Sequence, residues 1–172
     1  MTAGREPNWN PVSRVHPSVW TEVVGLSSKD RMSIPLMARR RLEWLSAGTT
    51  ELLAILEADG SAEVVSWKGE GADRISQIEA VLRGLTEPDR SEVALAAMDR
   101  YIRLHLDGTG RMVLPTTLLS HLEAVDPPTL RLVVRDGKLW FWSERRWRAG
   151  QLERYLQMAK VIADRSRNSE AR

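Results

Sequence analysis

Hydrophobic and polar positions along this chain predict the same succession of elements twice. Residues 19–26 and 101–106 are extended apolar runs, and each is followed by a polar turn, an arginine, a short apolar run and a proline. In the second run Ile102, Leu104 and Leu106 alternate with more polar neighbours, which is the two-residue period of a strand with one buried face. We therefore predict a strand at the start of each copy.

Two decapeptides carry the repeat most clearly. Residues 26–35 read LSSKDRMSIP and residues 106–115 read LDGTGRMVLP, with Leu, Arg, Met and Pro at the same four places. Self-similarity of this kind indicates one supersecondary unit used twice. Pro35 and Pro115 suit the first turn of a helix, where a missing amide donor costs nothing, so each decapeptide is predicted to lead into a helix of about ten residues.

The second part of each copy has the pattern of a β-hairpin followed by a helix. Apolar runs over residues 52–67 and 130–142 are each interrupted by Asp-Gly, at 59–60 and at 136–137. Asp-Gly between apolar runs is a strong hairpin signal. Apolar residues at helical spacing predict three further helices, over residues 73–85, 91–98 and 143–164.

These patterns predict an α+β fold in which neither copy is stable alone. Each unit exposes sheet edges and one apolar face, and two units cover each other by interleaving about a pseudo-twofold axis. Residues 139–142 are apolar on both faces of their strand, so we expect cover from the long C-terminal helix and from the other copy or another subunit. The predicted organisation is a poorly ordered arm (1–18), a first repeat (19–85), a helical connector (86–98), a second repeat ending in a long helix (99–164) and a frayed tail (165–172).

Composition and charge narrow the function classes. The chain has 172 residues and no cysteine, which removes disulfides, thiolate metal sites and cysteine nucleophiles. The net charge is only +2, but it is unevenly distributed. Residues 1–45 carry seven Lys/Arg against four Asp/Glu, residues 46–98 carry four against ten, and residues 99–172 carry fourteen against nine. The basic excess falls where the decapeptides lie, which indicates either an anionic partner or an uneven solvated surface.

Catalytic and membrane-spanning patterns are missing from the sequence. His16, His105 and His121 are isolated from one another and from paired carboxylates, and there is no Gly-rich phosphate loop, nucleophile elbow or zinc motif. No apolar run approaches the roughly 20 residues that span a bilayer. We therefore expect no enzyme activity, no cofactor, no metal and no membrane partner, and a cytoplasmic location.

The tandem motif resembles the MraZ proteins, bacterial regulators of the division and cell-wall gene cluster within the AbrB-like swapped-hairpin superfamily. Members carry two copies of Asp-x-x-x-Arg followed by an apolar residue, a proline and a helix, which here is Asp107 to Arg111 followed by Met-Val-Leu-Pro. The likeness covers residues 19–160, and the tandem arrangement is its specific part. It implies a swapped-hairpin, double-split-barrel arrangement. It also implies a nucleoid-associated transcriptional regulator that assembles into a ring and binds short repeated boxes in double-stranded DNA.

The first copy departs from that pattern, with Ser27 at the Asp position and Asp30 at the last Gly position. A serine hydroxyl caps such a turn more weakly than a carboxylate, and Asp tolerates a left-handed backbone better than most residues. We therefore expect the turn to survive. Asp30 stands beside Arg31 and is expected to offset part of its charge, whereas Arg111 is expected to be free for DNA, so the second turn is predicted to dominate.

Arginine on a rigid turn offers a planar fork of donors that grips a phosphate or a guanine edge. The predicted DNA-binding residues are Lys29, Arg31, Asp107 and Arg111 on the two turns and Arg39, Arg40 and Arg41 on the helix after the first turn. The alternative for Arg111 is a structural pair with Asp107, and the alternative for the arginine run is a solvated helix face. Two other functions stay open: an AbrB-superfamily antitoxin that binds DNA and a toxin, and an oligomeric interaction protein with weakened DNA binding.

Overall fold

The structure, a computed structural model, describes Val12, residues 18–46 and residues 48–171. The arm predicted at residues 1–18 lies largely outside these residues. The strands are β1 (Trp20–Gly25), β2 (Arg31–Ser33), β3 (Glu51–Leu56), β4 (Ser61–Ser66), β5 (Tyr101–His105), β6 (Arg111–Val113), β7 (Thr129–Arg135) and β8 (Lys138–Trp142). The helices are α1 (Leu36–Arg41), α2 (Glu43–Ser46), α3 (Ala72–Gly84), α4 (Asp89–Arg100), α5 (Thr116–His121), α6 (Glu144–Ala149) and α7 (Gln151–Glu170). The predicted α+β class is confirmed, and among the helices of the described residues none has both the length and the apolarity to cross a membrane.

Six strands form one open antiparallel sheet in the order β1-β7-β8-β4-β3-β5, and β2 pairs with β6 in a separate two-stranded ribbon. The first strand of each repeat lies against the hairpin of the other repeat. Trp20 of β1 is opposite Val134 of β7, and Tyr101 of β5 is opposite Ile55 of β3. Strands β4 and β8 join the two hairpins at the centre of the sheet. Each repeat therefore supplies the partner for the first strand of the other.

Backbone hydrogen bonds around the ribbon occur in matched pairs. The Ile34 amide donates to the Gly110 carbonyl at 2.9 Å, and the Leu114 amide donates to the Asp30 carbonyl at 2.9 Å. These residues hold equivalent places in the two decapeptides. The pairs define a pseudo-twofold axis through the ribbon and bring the turn of each repeat against the other repeat.

The main core lies between the six-stranded sheet and the short helices. Leu52, Leu132 and Phe141 of the sheet are fully buried in one cluster with Leu42, which follows α1, and Leu118 of α5. Burying a side chain of this size stabilises the fold by about 1.5–3 kcal/mol. A one-residue slip in register would turn these side chains to the other face of the sheet, so the core also fixes the strand pairing.

The helices after the two prolines are shorter than predicted, with six residues each in α1 and α5. Helix α1 ends because Leu42 leaves the helical region, with φ −120° and ψ 99°. Helix α5 ends before Glu123, which takes a φ of 53°. Leu42 and Leu122 are both completely buried, so the chain turns where each leucine enters the core.

The C-terminal segment differs from the prediction in two ways. Gly150 separates α6 from α7, because glycine is a poor helix former. Helix α7 then continues to Glu170 through the segment predicted to fray. None of its residues is buried, so the long helix does not cover strand β8 as expected. Trp147 of α6 instead packs edge-to-face on Trp142, with 5.7 Å between the ring centroids.

Candidate nucleic-acid interface

The ribbon formed by β2 and β6 has one buried face and one exposed face. Met32 and Met112 lie opposite each other, are 1% and 2% exposed, and anchor the ribbon on the core. Side chains alternate along a strand, so the flanking residues lie on the other face. All four of them are exposed: Arg31, Ser33, Arg111 and Val113. The predicted arginines of the two turns therefore share one surface.

Arg31 and Arg111 occupy diagonal positions on this exposed face. Arg31 is opposite Val113, and Arg111 is opposite Ser33, an arrangement that separates the two arginine backbones by roughly 7–8 Å. Lys29 lines the same groove as both arginines. The pairing of β2 with β6 thus brings together predicted site residues from both repeats.

The turn before β6 is held by the carboxylate of Asp107. Its Oδ1 accepts hydrogen bonds from the Thr109 amide at 2.8 Å, the Thr109 hydroxyl at 2.7 Å and the Arg111 amide at 3.0 Å. Gly110 has a φ of 82°, which glycine adopts without strain. The bond from the Arg111 amide, followed by those from Thr109, holds the pKa of Asp107 well below its usual range. The carboxylate is therefore ionised and forms part of the turn.

The charge of Arg111 is not free, contrary to the expectation from the sequence. Its Nε lies 3.3 Å from Oδ2 of Asp107, which is the ion pair considered as the structural alternative. The Arg111 side chain keeps 54% of its surface exposed. Solvent and salt weaken an exposed pair of this kind, so a phosphate can compete with Asp107 for the guanidinium.

The turn before β2 is closed by the same backbone hydrogen bond, but Lys29 and Asp30 are both left-handed there, whereas only Gly110 is left-handed in the second turn. The Ser27 amide donates to the Arg31 carbonyl at 2.8 Å, and the Asp107 amide donates to the Arg111 carbonyl at the same distance. The Ser27 hydroxyl donates to the Arg31 carbonyl at 3.3 Å. Asp30 takes a left-handed φ of 57°. The predicted survival of this turn is confirmed.

The electrostatics of the two turns are the reverse of the expected order. Within the described part of the chain no ion pair joins Asp30 to Arg31. Lys29, Asp30 and Arg31 give the first turn a formal charge of +1, whereas Asp107 and Arg111 give the second turn a formal charge of 0. The expectation that Arg111 has the freer charge is therefore wrong.

Helix α1 of the first repeat brings positive charge to the second turn. The Arg39 guanidinium lies over Gly110, where an added Cβ would come within 3.0 Å of its Nη1. Arg39 and the exposed Arg40 line one groove together with Asp107. The cation that the second turn lacks is therefore supplied across the pseudo-twofold axis by the other repeat.

Arg41 is placed differently from its two neighbours. Its Nη1 donates to the carbonyl of Met37, one turn earlier in the same helix, at 3.0 Å. In α5 of the second repeat, the positions equivalent to the arginine run of residues 39–41 are occupied by Leu119, Ser120 and His121. The basic run therefore belongs to one repeat only, and Arg39 and Arg40 are the members placed beside a turn.

Three further residues of this surface escaped the sequence reasoning. Ser33 and Val113 complete the exposed face of the ribbon. The sequence could have indicated them, because each lies two residues after an arginine in the same strand and so faces the same side. His105, which the sequence placed in no catalytic or metal motif, lines the groove beside both arginines. Its Nδ1 lies 3.0 Å from Oε1 of Glu51 on the neighbouring strand β3.

The chemistry of this surface is that of cations and hydrogen-bond donors. Among the described residues no group of three or more His, Asp or Glu side chains is arranged to hold a metal ion.

A scan against models of protein families and a search of curated proteins both find no match to this chain. A function is therefore inferred from the geometry and charge of the surface itself.

Proposed function

We propose that this chain is a sequence-specific DNA-binding transcriptional regulator of the MraZ type, acting at the nucleoid. The observation that carries the proposal is the exposed face of the β2–β6 ribbon, where Arg31 and Arg111 stand on diagonal positions above two buried methionines. The major groove of B-DNA, about 12 Å wide, admits a two-stranded β-ribbon. A diagonal of roughly 7–8 Å fits within that width.

Each exposed side chain of the ribbon suits a part of the groove. Arginine forms paired hydrogen bonds with O6 and N7 of guanine, and a serine such as Ser33 bonds to several bases. Val113 offers an apolar contact for the thymine methyl group. Because Met32 and Met112 hold the ribbon on the core, little ordering is needed when DNA binds, which favours affinity.

The neighbouring cations are suited to the DNA backbone. Lys29, Arg39 and Arg40 lie around the ribbon, and phosphate contacts fix position without reading sequence. Because Arg31 and Arg111 are assigned to base edges, three cations in each chain face phosphates. Each phosphate neutralised adds roughly 0.9 to the salt slope, so these contacts give a slope of about −3 for each chain.

The strand pairing supports an AbrB-like swapped-hairpin arrangement of the repeats. The first strand of each repeat pairs with the hairpin of the other, although the six-stranded sheet stays open and does not close into a barrel. One chain spans few base pairs, and a homo-oligomer raises the effective concentration for each later contact. We propose assembly into a ring on repeated boxes for this reason.

A double variant of the ribbon tests the proposal. Duplex sites are selected from a random pool with the wild-type protein and then titrated with Arg31→Ala/Arg111→Ala. Each paired arginine–guanine contact is worth about 1–3 kcal/mol, so specific affinity is expected to fall at least about 30-fold. Arg83→Ala/Arg135→Ala removes the same charge from exposed positions on α3 and the β7–β8 hairpin, and is expected to bind like wild type. Wild-type affinity in the ribbon variant, or no selected site, would refute the proposal.

A further inference from the structure

Helix α7 carries a broad apolar face that no described residue covers. None of its 20 residues is buried. Six large apolar side chains are each more than half exposed: Leu152, Tyr155, Leu156, Met158, Val161 and Ile162. An apolar stripe on a helix normally packs on a core or on another helix. The exposure of so long a stripe points to a docking surface.

The chemistry of the stripe's borders restricts its partner. At 3.6 residues for each turn, five of the six side chains fall in one arc of roughly 160° that runs from Met158 to Leu156. Lys160 lies one turn beyond Leu156, and Arg165 lies two turns beyond Met158, so a cation borders each edge. Within the described part of the chain neither Lys160 nor Arg165 has an ion pair. The partner should therefore be apolar with acidic flanks.

Helix α4 of the same chain has that chemistry. Leu95 and Met98 are 60% and 74% exposed and lie three residues apart on its outer side. Glu92 lies three residues before Leu95, and Asp99 lies four residues after it. At these spacings both carboxylates lie next to Leu95 along one side of the apolar pair. Both carboxylates are exposed, and neither is part of an ion pair among the residues that the structure describes.

The basic residues of α4 are already engaged elsewhere. Arg90 donates to the carbonyls of Leu82 and Leu85 at 3.0 and 2.6 Å, at the end of α3. Arg100 pairs with Glu57 at 3.2 Å. The charge left on the outer side of α4 is therefore negative, and it complements the cationic borders of α7.

We propose that α7 of one copy docks on α4 of a second copy, with Lys160 and Arg165 beside Glu92 and Asp99. The contact joins two different faces, so each copy keeps one free face of each kind and association continues until a ring closes or a filament forms. Pairing of two α7 helices would instead bring like-charged borders together, which is unfavourable. This inference rests on the proposed assembly of the chain, but it does not depend on DNA binding.

Sedimentation velocity of the full chain without DNA tests the apolar part of the contact. Leu156→Glu/Ile162→Glu is expected to weaken association by about tenfold or more, because charged side chains would replace apolar ones in the buried contact. Gln157→Glu adds a charge to the polar side of the same helix and is expected to assemble like wild type. Near-ultraviolet circular dichroism checks that each variant keeps the fold.

A charge exchange identifies the acidic partner. Lys160→Glu/Arg165→Glu and Glu92→Lys/Asp99→Lys are each expected to weaken assembly, and the chain that carries all four changes is expected to regain it. If Glu92→Lys/Asp99→Lys assembled like wild type, the proposal would be overturned. A wild-type chain that stayed monomeric at every concentration would also overturn it, even if α7 then bound vesicles of anionic lipid. The Arg31→Ala/Arg111→Ala variant should still assemble, so failure of DNA binding and failure of docking are told apart.

Discussion

Replacing Asp107 with asparagine separates the charge of the second turn from its shape. Oδ1 of Asp107 accepts three hydrogen bonds within the turn, and Oδ2 pairs with Arg111 at 3.3 Å. Asparagine keeps one acceptor oxygen in the same place and loses the negative charge. We expect the turn to persist in Asp107→Asn and the Arg111 guanidinium to be released toward DNA.

The size of the effect follows from the charge count. The formal charge of residues 107–111 rises from 0 to +1, which allows about one more phosphate to be neutralised. The salt slope of the variant is then expected to be steeper than that of wild type by roughly 0.9. When the salt is diluted tenfold, the affinity of the variant should therefore rise by roughly eightfold more than that of wild type. The gain should be largest at low salt, where screening is weakest.

Fluorescence anisotropy of a labelled duplex over a salt series measures both slope and affinity. Asp136→Asn removes the same charge from the exposed β7–β8 turn and is expected to leave the slope unchanged. Weaker binding by Asp107→Asn at every salt concentration would show that Asp107 orients Arg111 rather than competing with DNA for it. In thermal melts Asp107→Asn is expected to be less stable than wild type, because charge-assisted hydrogen bonds are lost.

Either repeat expressed alone, as residues 1–90 or 95–172, is expected to be unfolded or aggregated, because β1 and β5 lose their partner strands. A cooperative, monomeric melt of either piece by circular dichroism would contradict the interleaved sheet. Hydrogen bonds from two arginines of α6 lower the pKa of Glu123 from 4.5 to about 2. Its contribution to stability is therefore present above pH 4.5 and lost as the pH falls toward 2. Urea melts should show that Glu123→Gln is less stable than wild type near neutral pH and that the difference shrinks in acid; a constant difference would contradict this. Arg31→Ala is expected to cost at least as much DNA affinity as Arg111→Ala, because only Arg111 is paired with a carboxylate. A larger loss from Arg111→Ala in parallel titrations would restore the order expected from the sequence.

Much of the element order could be predicted because its signals are local. The Asp-Gly pair at 136–137 forms the predicted hairpin turn, with φ of 54° and 72° at the two residues, as a primed turn requires. The partner of β1 lies more than 100 residues away, and no local pattern carries that information. The pairing of the two halves was indicated only by the sequence repeat, because a repeated unit of this kind leaves sheet edges that need a partner.

The arginines of the two turns could be predicted from the sequence, but the other residues of the candidate site and its electrostatics could not. The repeat singled out Arg31 and Arg111, but whether an arginine four residues after an aspartate folds back onto it depends on side-chain conformation. The position of Arg39 over Gly110 depends on contact between the repeats, which the sequence does not order. Periodicity likewise predicted an amphipathic C-terminal helix, but whether its apolar face is covered depends on tertiary contacts, and no residue of α7 is buried after the break at Gly150.

The contact between the ribbon and DNA can be measured directly by disulfide trapping at Ser33. Ser33 lies opposite Arg111 and two residues from Arg31 on the exposed face, and the chain has no cysteine, so Ser33→Cys introduces a unique thiol. It is incubated in a mild redox buffer with a selected duplex that carries a thiol-tethered base in the major groove. We expect a protein–DNA disulfide with Ser33→Cys and none above background with Ser76→Cys, which places a thiol on the exposed side of α3. Equal trapping of both variants, or no trapping of Ser33→Cys while the duplex stays bound, would contradict the assignment of the ribbon as the DNA-reading surface.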